Sequence, residues 1–206
     1  MPYCFPASAT ISTKPLLYYS AKLARARGYD LLAVQYPALP TGLRGHAEKI
    51  EQAVQTALSA AEEQLTAIDW TAYDRVFFLS KSIGTAIAAR YAVRQGIHPR
   101  QVYYTPIEQA LPYLDPTGIA FHGTADPWAD TEMITDGCRK IGIPLYLTEN
   151  ATTQWKPAIP CTIFLFCTIL WMKPHTGWIL RRDRRFPFTF SALYDKIDYH
   201  NEEVCL

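Results

Sequence analysis

Two short stretches carry residue types and spacing that could do covalent chemistry. The first is Ser80-Lys81-Ser82-Ile83-Gly84. It follows the apolar run Val76-Phe77-Phe78-Leu79 and opens the helical stretch Thr85 to Gln95. A strand, a sharp turn bearing a serine, and a helix form the setting of a nucleophile elbow. Small residues at both ends of the pentapeptide let strand and helix approach closely, although Ser80 stands where glycine is usual. The turn would lift the Ser82 hydroxyl clear of the sheet. It would also aim the Ile83 N–H, at a helix start, toward a developing oxyanion. A serine that merely caps a helix reads the same way in sequence. The second stretch is Gly118 to Trp128, a buried strand running into a turn that contains Asp126-Pro127. It sets Asp126 just beyond the carboxyl end of a strand, where sites form in open parallel sheets. The order Ser then Asp fits a Ser…Asp…His relay, and a structural Asp-Pro turn is the competing reading. His122 lies only four residues before Asp126 and reads better as a packed histidine shaping that loop than as the base. Lys81 reads as a solvated side chain.

The elements around these stretches alternate. Leu31 to Tyr36 is an apolar run ended by Pro37, as in a strand buried on both faces. From His46 to Leu65, Ile50, Val54, Leu58, Ala61 and Leu65 recur at helical steps, with Glu48, Glu51, Glu62 and Glu63 on the solvated faces. Strands follow at 76–79, 101–104, 119–122 and 145–148. Helices are expected over 83–95 and 130–141, the latter ended by Gly142. This pattern predicts an α/β chain: a mostly parallel sheet with helices on both faces. Before Lys14 the sequence offers no convincing strand. The connection 96–100 is too short for a cap domain. The loop 105–116 could cover a pocket, with Pro106, Leu111, Pro112, Tyr113 and Leu114 as lining candidates, and Trp128 is a candidate substrate contact. Ordinary packing is the simpler expectation for most of these.

Residues 14–151 resemble a small, cap-less bacterial α/β-hydrolase family. The resemblance rests on Lys14-Pro15-Leu16-Leu17-Tyr18-Tyr19, Ser80 to Thr85, His122-Gly123-Thr124-Ala125-Asp126-Pro127 and Leu145 to Ala151. It implies Ser82 as nucleophile, Asp126 as the acid that orients a histidine, and Ile83 N–H as one oxyanion donor. It also implies an ester-like or other acyl substrate and no cofactor or metal. In that family the histidine follows Glu-Asn-Ala in an Asn-His pair; this chain has Thr152-Thr153 there. His175, well past that position, is a poor substitute. The chain is therefore expected to be a serine hydrolase by descent with weak or absent activity as written. A non-catalytic binding protein of the same fold is the alternative.

The genetic code offers a reason for the missing histidine. Loss of one nucleotide near the Ala151 codon would permit an original Asn-His-Ser/Thr-Met-Glu-Thr-Gly-Asp, the sequence the family shows around its histidine. Trp155 into Lys156 must then give Glu. At the amino end, an extra base near Thr13-Lys14 would convert an original Pro-Gly-Ile-Ser-Tyr, the turn that supplies the second oxyanion N–H, into Pro6 onward. The expected organisation is a core over residues 1–151, with 1–13 open to an out-of-frame reading, and an atypical tail over 152–206. The fold is expected to be incomplete at both ends.

Composition fits one globular domain: 206 residues, 49% hydrophobic, net charge +1. No charge excess points to nucleic acid or an anionic membrane. The five cysteines lack the spacing of a metal site or a disulfide framework. No secretory signal pattern is present, so a cytoplasmic setting is expected. In the tail, Ile159 to Met172 is apolar for 14 residues. That is shorter than the roughly 20 a membrane span needs, although the basic run Arg181 to Arg185 would suit an interfacial anchor. Membrane attachment is thus the less favoured expectation.

Overall fold

A computed structural model describes residues 2–5, 15–26, 29–73 and 75–153. They fall within one compact unit, Met1–Cys167. The tail and its apolar run lie outside the described residues, as does His175. Six strands form one all-parallel sheet: β1 (Pro2–Phe5), β2 (Leu32–Ala33), β3 (Phe77–Lys81), β4 (Arg100–Tyr104), β5 (Ile119–Gly123) and β6 (Leu145–Thr148). Their order across the sheet is β2-β1-β3-β4-β5-β6. The helices are α1 (Pro15–Ala26), α2 (Ala47–Leu65), α3 (Ile83–Gln95) and α4 (Thr131–Ile141).

The step from β1 to β2 runs toward one edge, and every later crossover runs the other way. Right-handed crossovers then put α1 on one face and α2, α3 and α4 on the other. Side chains agree with this. On the α1 face, the Ser20 hydroxyl lies 2.9 Å from the Tyr104 hydroxyl. Tyr104, Phe121 and Tyr146 stack across β4, β5 and β6 with ring centroids 5.5 and 5.2 Å apart. On the other face α2 buries the stripe foreseen in the sequence, Ile50, Val54, Leu58, Ala61 and Leu65, together with Ala53 and Ala57. Fully burying each large aliphatic side chain stabilises the fold by about 1.5–3 kcal/mol. Gly96 and Gly142 end α3 and α4 in the left-handed conformation, where a side chain would strain the turn.

Three expectations change. Pro2–Phe5 is a strand after all, paired with both β1 neighbours: Tyr3↔Leu32 on one side and Phe5↔Ser80 on the other. The apolar run at 31–36 is not a strand buried on both faces. Only Leu32–Ala33 pairs, at the sheet edge, and both residues are exposed; Val34 and Tyr36 alone turn into the core. An edge strand has a partner on one side only, so its apolar content reports packing below rather than burial on both faces. Glu51 is not simply a solvated carboxylate. It takes both terminal nitrogens of the buried Arg90, at 2.5 and 2.7 Å, and these bonds hold its carboxyl down at about 2.

Candidate active site

The order of strands reverses between β1 and β3, and the carboxyl ends of these two strands lie side by side. Such a switch point opens a crevice at the sheet edge. Ser82 sits there, between the last residue of β3 and the first of α3. Its backbone is left-handed, φ 51° and ψ −128°, a conformation that costs a residue with a side chain about 1–3 kcal/mol. Neighbouring bonds hold it. The Ser82 N–H donates to the Tyr104 carbonyl of β4 at 2.9 Å. The Ser82 carbonyl accepts from the Thr85 N–H at 2.9 Å and the Thr85 hydroxyl at 2.6 Å. Ser80 shows why a small residue precedes the turn: it is wholly buried, and its hydroxyl donates to the Val102 carbonyl at 3.2 Å. Ile83 opens α3, so its N–H has no acceptor within the helix and lies at the positive end of the helix dipole. Lys81 departs from expectation: it is buried, not solvated. As the last residue of a central strand it is flanked by β1 and β4.

The acid side is built differently. Asp126 follows β5 in a tight turn, its N–H donating to the Gly123 carbonyl at 3.0 Å. Its side chain is 8% exposed. Oδ1 accepts from the Trp128 N–H at 3.0 Å and from the Thr153 hydroxyl at 2.5 Å. Oδ2 accepts no hydrogen bond from the described residues. Thr153 reaches Asp126 because the turn after β6 is pinned against the acid loop. Asn150, itself left-handed at φ 57°, donates its N–H to the Thr124 hydroxyl at 2.9 Å. The Ala125 N–H donates to the Ala151 carbonyl at 3.0 Å. Gly123 permits this approach: a Cβ there would lie 2.2 Å from the Ala151 oxygen. Thr153 is thus the residue at the position where the family resemblance expects a histidine, and it holds the carboxylate such a histidine would hold.

The remaining candidates separate cleanly. His122 is wholly buried in β5, and its Nε2 lies 3.4 Å from the Thr131 hydroxyl. Its Nδ1 has no partner. Burial pushes its pKa below the usual histidine range, against the pull of the Asp126 charge; this is a packed ring inside the strand. The Trp128 side chain is exposed beside the acid. The loop between β4 and β5 packs into the helical layer. Leu111 lies against Gly137 of α4, the Arg90 guanidinium stacks over Tyr113 at 4.6 Å, and Ala110 and Leu114 are buried.

Sequence gave no warning of Thr105. It follows β4, between the strands of Ser82 and Asp126, at φ 44° and 1% exposure. A β-branched residue before Pro106 should be extended. Its N–H donates to the Phe121 carbonyl at 2.7 Å, which bends the chain out of the sheet immediately after the carbonyl that holds Ser82. A cavity of about 440 Å³ lies elsewhere, between residues 37–41 and Lys49, Gln52 and Thr56 of α2. Among the described residues no three His, Cys, Asp or Glu side chains group as a metal site, and no helix is long and apolar enough to cross a membrane.

No protein-family pattern matches this sequence, and no curated protein matches it. Solved structures do. An α/β serine hydrolase homologue from Coxiella burnetii superposes with a TM-score of 0.55 at 12% identity, covering 82% of this chain and 85% of its own. An α/β serine hydrolase without a lid, from Xanthomonas campestris, gives 0.54 at 13% identity over 81% of this chain and 78% of its own. Est1E from Butyrivibrio proteoclasticus, solved with ferulic acid bound, gives 0.61 at 10% identity over 82% and 87%. The chain has the α/β-hydrolase fold, as the sequence pattern and the resemblance predict.

Proposed function

We propose that this chain carries a serine site for acyl chemistry, with Ser82 as nucleophile, Ile83 N–H as an oxyanion donor and Asp126 as the acid, and that its turnover as written is weak or absent. One observation carries the proposal: Ser82 is held left-handed at a strand–helix junction, at the switch point of an α/β-hydrolase sheet. Strain of that kind persists where surrounding structure over-determines it, and it concentrates at functional sites. The substrate class is an ester-like or other acyl small molecule. Trp128, exposed and joined to Asp126 through its N–H, is the proposed substrate contact. A triad without its base retains about 10³–10⁴-fold catalysis over water, so slow acylation of Ser82 is the expected residue of activity. A fluorophosphonate probe tests this. Folded protein should label at Ser82, and S82A should not; folded protein that never labels would remove the nucleophile from the proposal.

A second reading is favoured by Thr153. Its hydroxyl already satisfies Asp126 Oδ1, so the acid is stably held with no histidine, as a non-catalytic binding protein would require. The same probe separates the two. We further propose that the histidine was lost by a frameshift near Ala151. Resequencing the gene across Ala151-Thr152 and Thr13-Lys14 checks it. Bases that restore Asn-His would support the shift, and bases that forbid those codons would end it.

A further inference from the structure

The cavity of about 440 Å³ between the segment after β2 and α2 has the volume of a small-molecule site, for which about 300–1,000 Å³ is usual. Its lining includes none of Ser82, Ile83, Asp126 and Trp128. One wall is a stiff arch, because Pro37 and Pro40 fix their own φ. The arch is pinned at both ends. The Gln64 side-chain amide bonds both the N–H and the carbonyl of Gln35, and Tyr36 and Leu43 are buried on either side of it. The floor is Ala53 and Ala57, buried one helical turn apart, whose methyl groups leave room above them. The rim is Lys49, Gln52 and Thr56, and Lys49 is the one charged residue among the described lining.

Lys49 stands against the rules that govern the rest of the helix surface. It lies in the first turn of α2, where unsatisfied N–H groups already carry positive charge, and His46 at the N-cap makes no side-chain bond to them. The positions three and four residues away are Gly45, His46, Gln52 and Ala53, so no carboxylate is within helical reach. The first-turn acid, Glu48, is not in the lining. Among the described residues Lys49 makes no ion pair, whereas Arg90, Arg94 and Arg139 each have a carboxylate partner. The Gln52 side-chain amide makes no hydrogen bond among the described residues either. The Thr56 hydroxyl donates to the Gln52 carbonyl at 3.0 Å.

We infer that this cavity is a binding site for a small organic monocarboxylate with an apolar body. The carboxylate belongs at the Lys49 end, where it answers the unpaired ammonium and the free amide of Gln52 with charge-assisted hydrogen bonds. The body lies against the proline arch and the methyl groups of Ala53 and Ala57, where it removes apolar surface from water. A dianion fits poorly, because one cation among mostly apolar walls leaves the second charge unpaired. A neutral apolar molecule would leave Lys49 unanswered. The site is independent of any reactivity at Ser82.

Calorimetric titration of the full chain with 3-phenylpropionate, and with 3-phenylpropionamide as its uncharged isostere, tests the inference. The acid should bind saturably at one site, with a Kd of about 1 mM or tighter for a ligand of this size. The amide should bind about tenfold more weakly. Lys49→Met keeps the length of the side chain and removes its charge. It should weaken the acid about tenfold and erase the preference over the amide, at an unchanged urea midpoint. K49Q repeats the measurement with a neutral polar side chain, so a fold defect peculiar to one variant does not decide the result. Thr56→Trp, at an exposed rim position, should fill the cavity and abolish binding of both compounds. S82A and D126N should bind as the parent does. Absence of saturable binding, equal affinity for acid and amide, or a preference that survives K49M and K49Q would overturn the inference. Binding lost in S82A or D126N would also overturn it, by moving the acid to the serine crevice and leaving the proposal for Ser82 intact.

Discussion

Two sites on the sheet's carboxyl edge solve the same problem by opposite means. At β3–α3 the proposed nucleophile is held by strain: Ser82 is left-handed, and the helix that follows is buried on most of its surface. At β5–β6 the acid is held by fit: Asp126 sits in ordinary turn geometry, and two loops are drawn together by hydrogen bonds at Thr124, Ala125 and Thr153. The bonds that hold the Ser82 backbone come from Tyr104 and Thr85, both inside the stretch that carries the resemblance. The acid side depends on a residue outside it, Thr153. A fold can therefore keep its strained serine while the opposite loop is rebuilt, because the two are anchored to different strands.

The largest expected effect breaks the acid end. A Cβ at Gly123 would lie 2.2 Å from the Ala151 oxygen and 2.7 Å from its carbonyl carbon. Both are backbone atoms, so no side chain can swing aside. Gly123→Ala must push the turn after β6 outward, which breaks the bond from the Ala125 N–H and withdraws Thr153 from Asp126. Overpacking of this kind costs typically 1–3 kcal/mol, and about 3 kcal/mol is expected here from urea unfolding. Labelling of Ser82 in the folded variant should be unchanged, since its supports lie on β3, β4 and α3. Parental stability in G123A, or labelling that falls with it, would show that the two ends are not built independently.

The nucleophile end was legible in sequence because its constraints are local. The apolar run before Ser80, the small residues at Ser80 and Gly84, and the periodicity after Ile83 all lie within a few residues of one another. The acid end was half legible. Asp126 announces itself by its place after a strand, but its partner comes 27 positions later, and nothing at Thr153 signals a carboxylate nearby. Sheet position was the hidden quantity elsewhere too. Leu31 to Tyr36 reads as a buried strand until the order places it at an edge, and Pro2–Phe5 acquires strand character only from pairing with β2 and β3. Nothing in the sequence singles out Arg90 of α3. It is buried because Glu51 and Tyr113 enclose it from two other elements. Each miss involves a partner distant in sequence, whereas each success rests on residues within one or two turns.

A smaller effect sharpens the contrast at Ser82 itself. If strain holds the nucleophile, removing the side chain should relax the backbone, and removing only the hydroxyl should not. Ser82→Ala keeps its Cβ and so keeps the unfavourable φ of 51°. Ser82→Gly loses the Cβ and escapes a penalty of about 1–3 kcal/mol, at the cost of about 0.5–1 kcal/mol from the greater freedom of glycine in the unfolded chain. S82G should then be more stable than S82A by about 1 kcal/mol, read as a higher urea midpoint at unchanged slope. Neither variant should label with fluorophosphonate, so stability and reactivity separate at one position. An S82G variant that is less stable than S82A would mean that the entropy of glycine outweighs any strain. The serine would then be placed by its neighbours' packing alone, and the difference between the two sites would disappear.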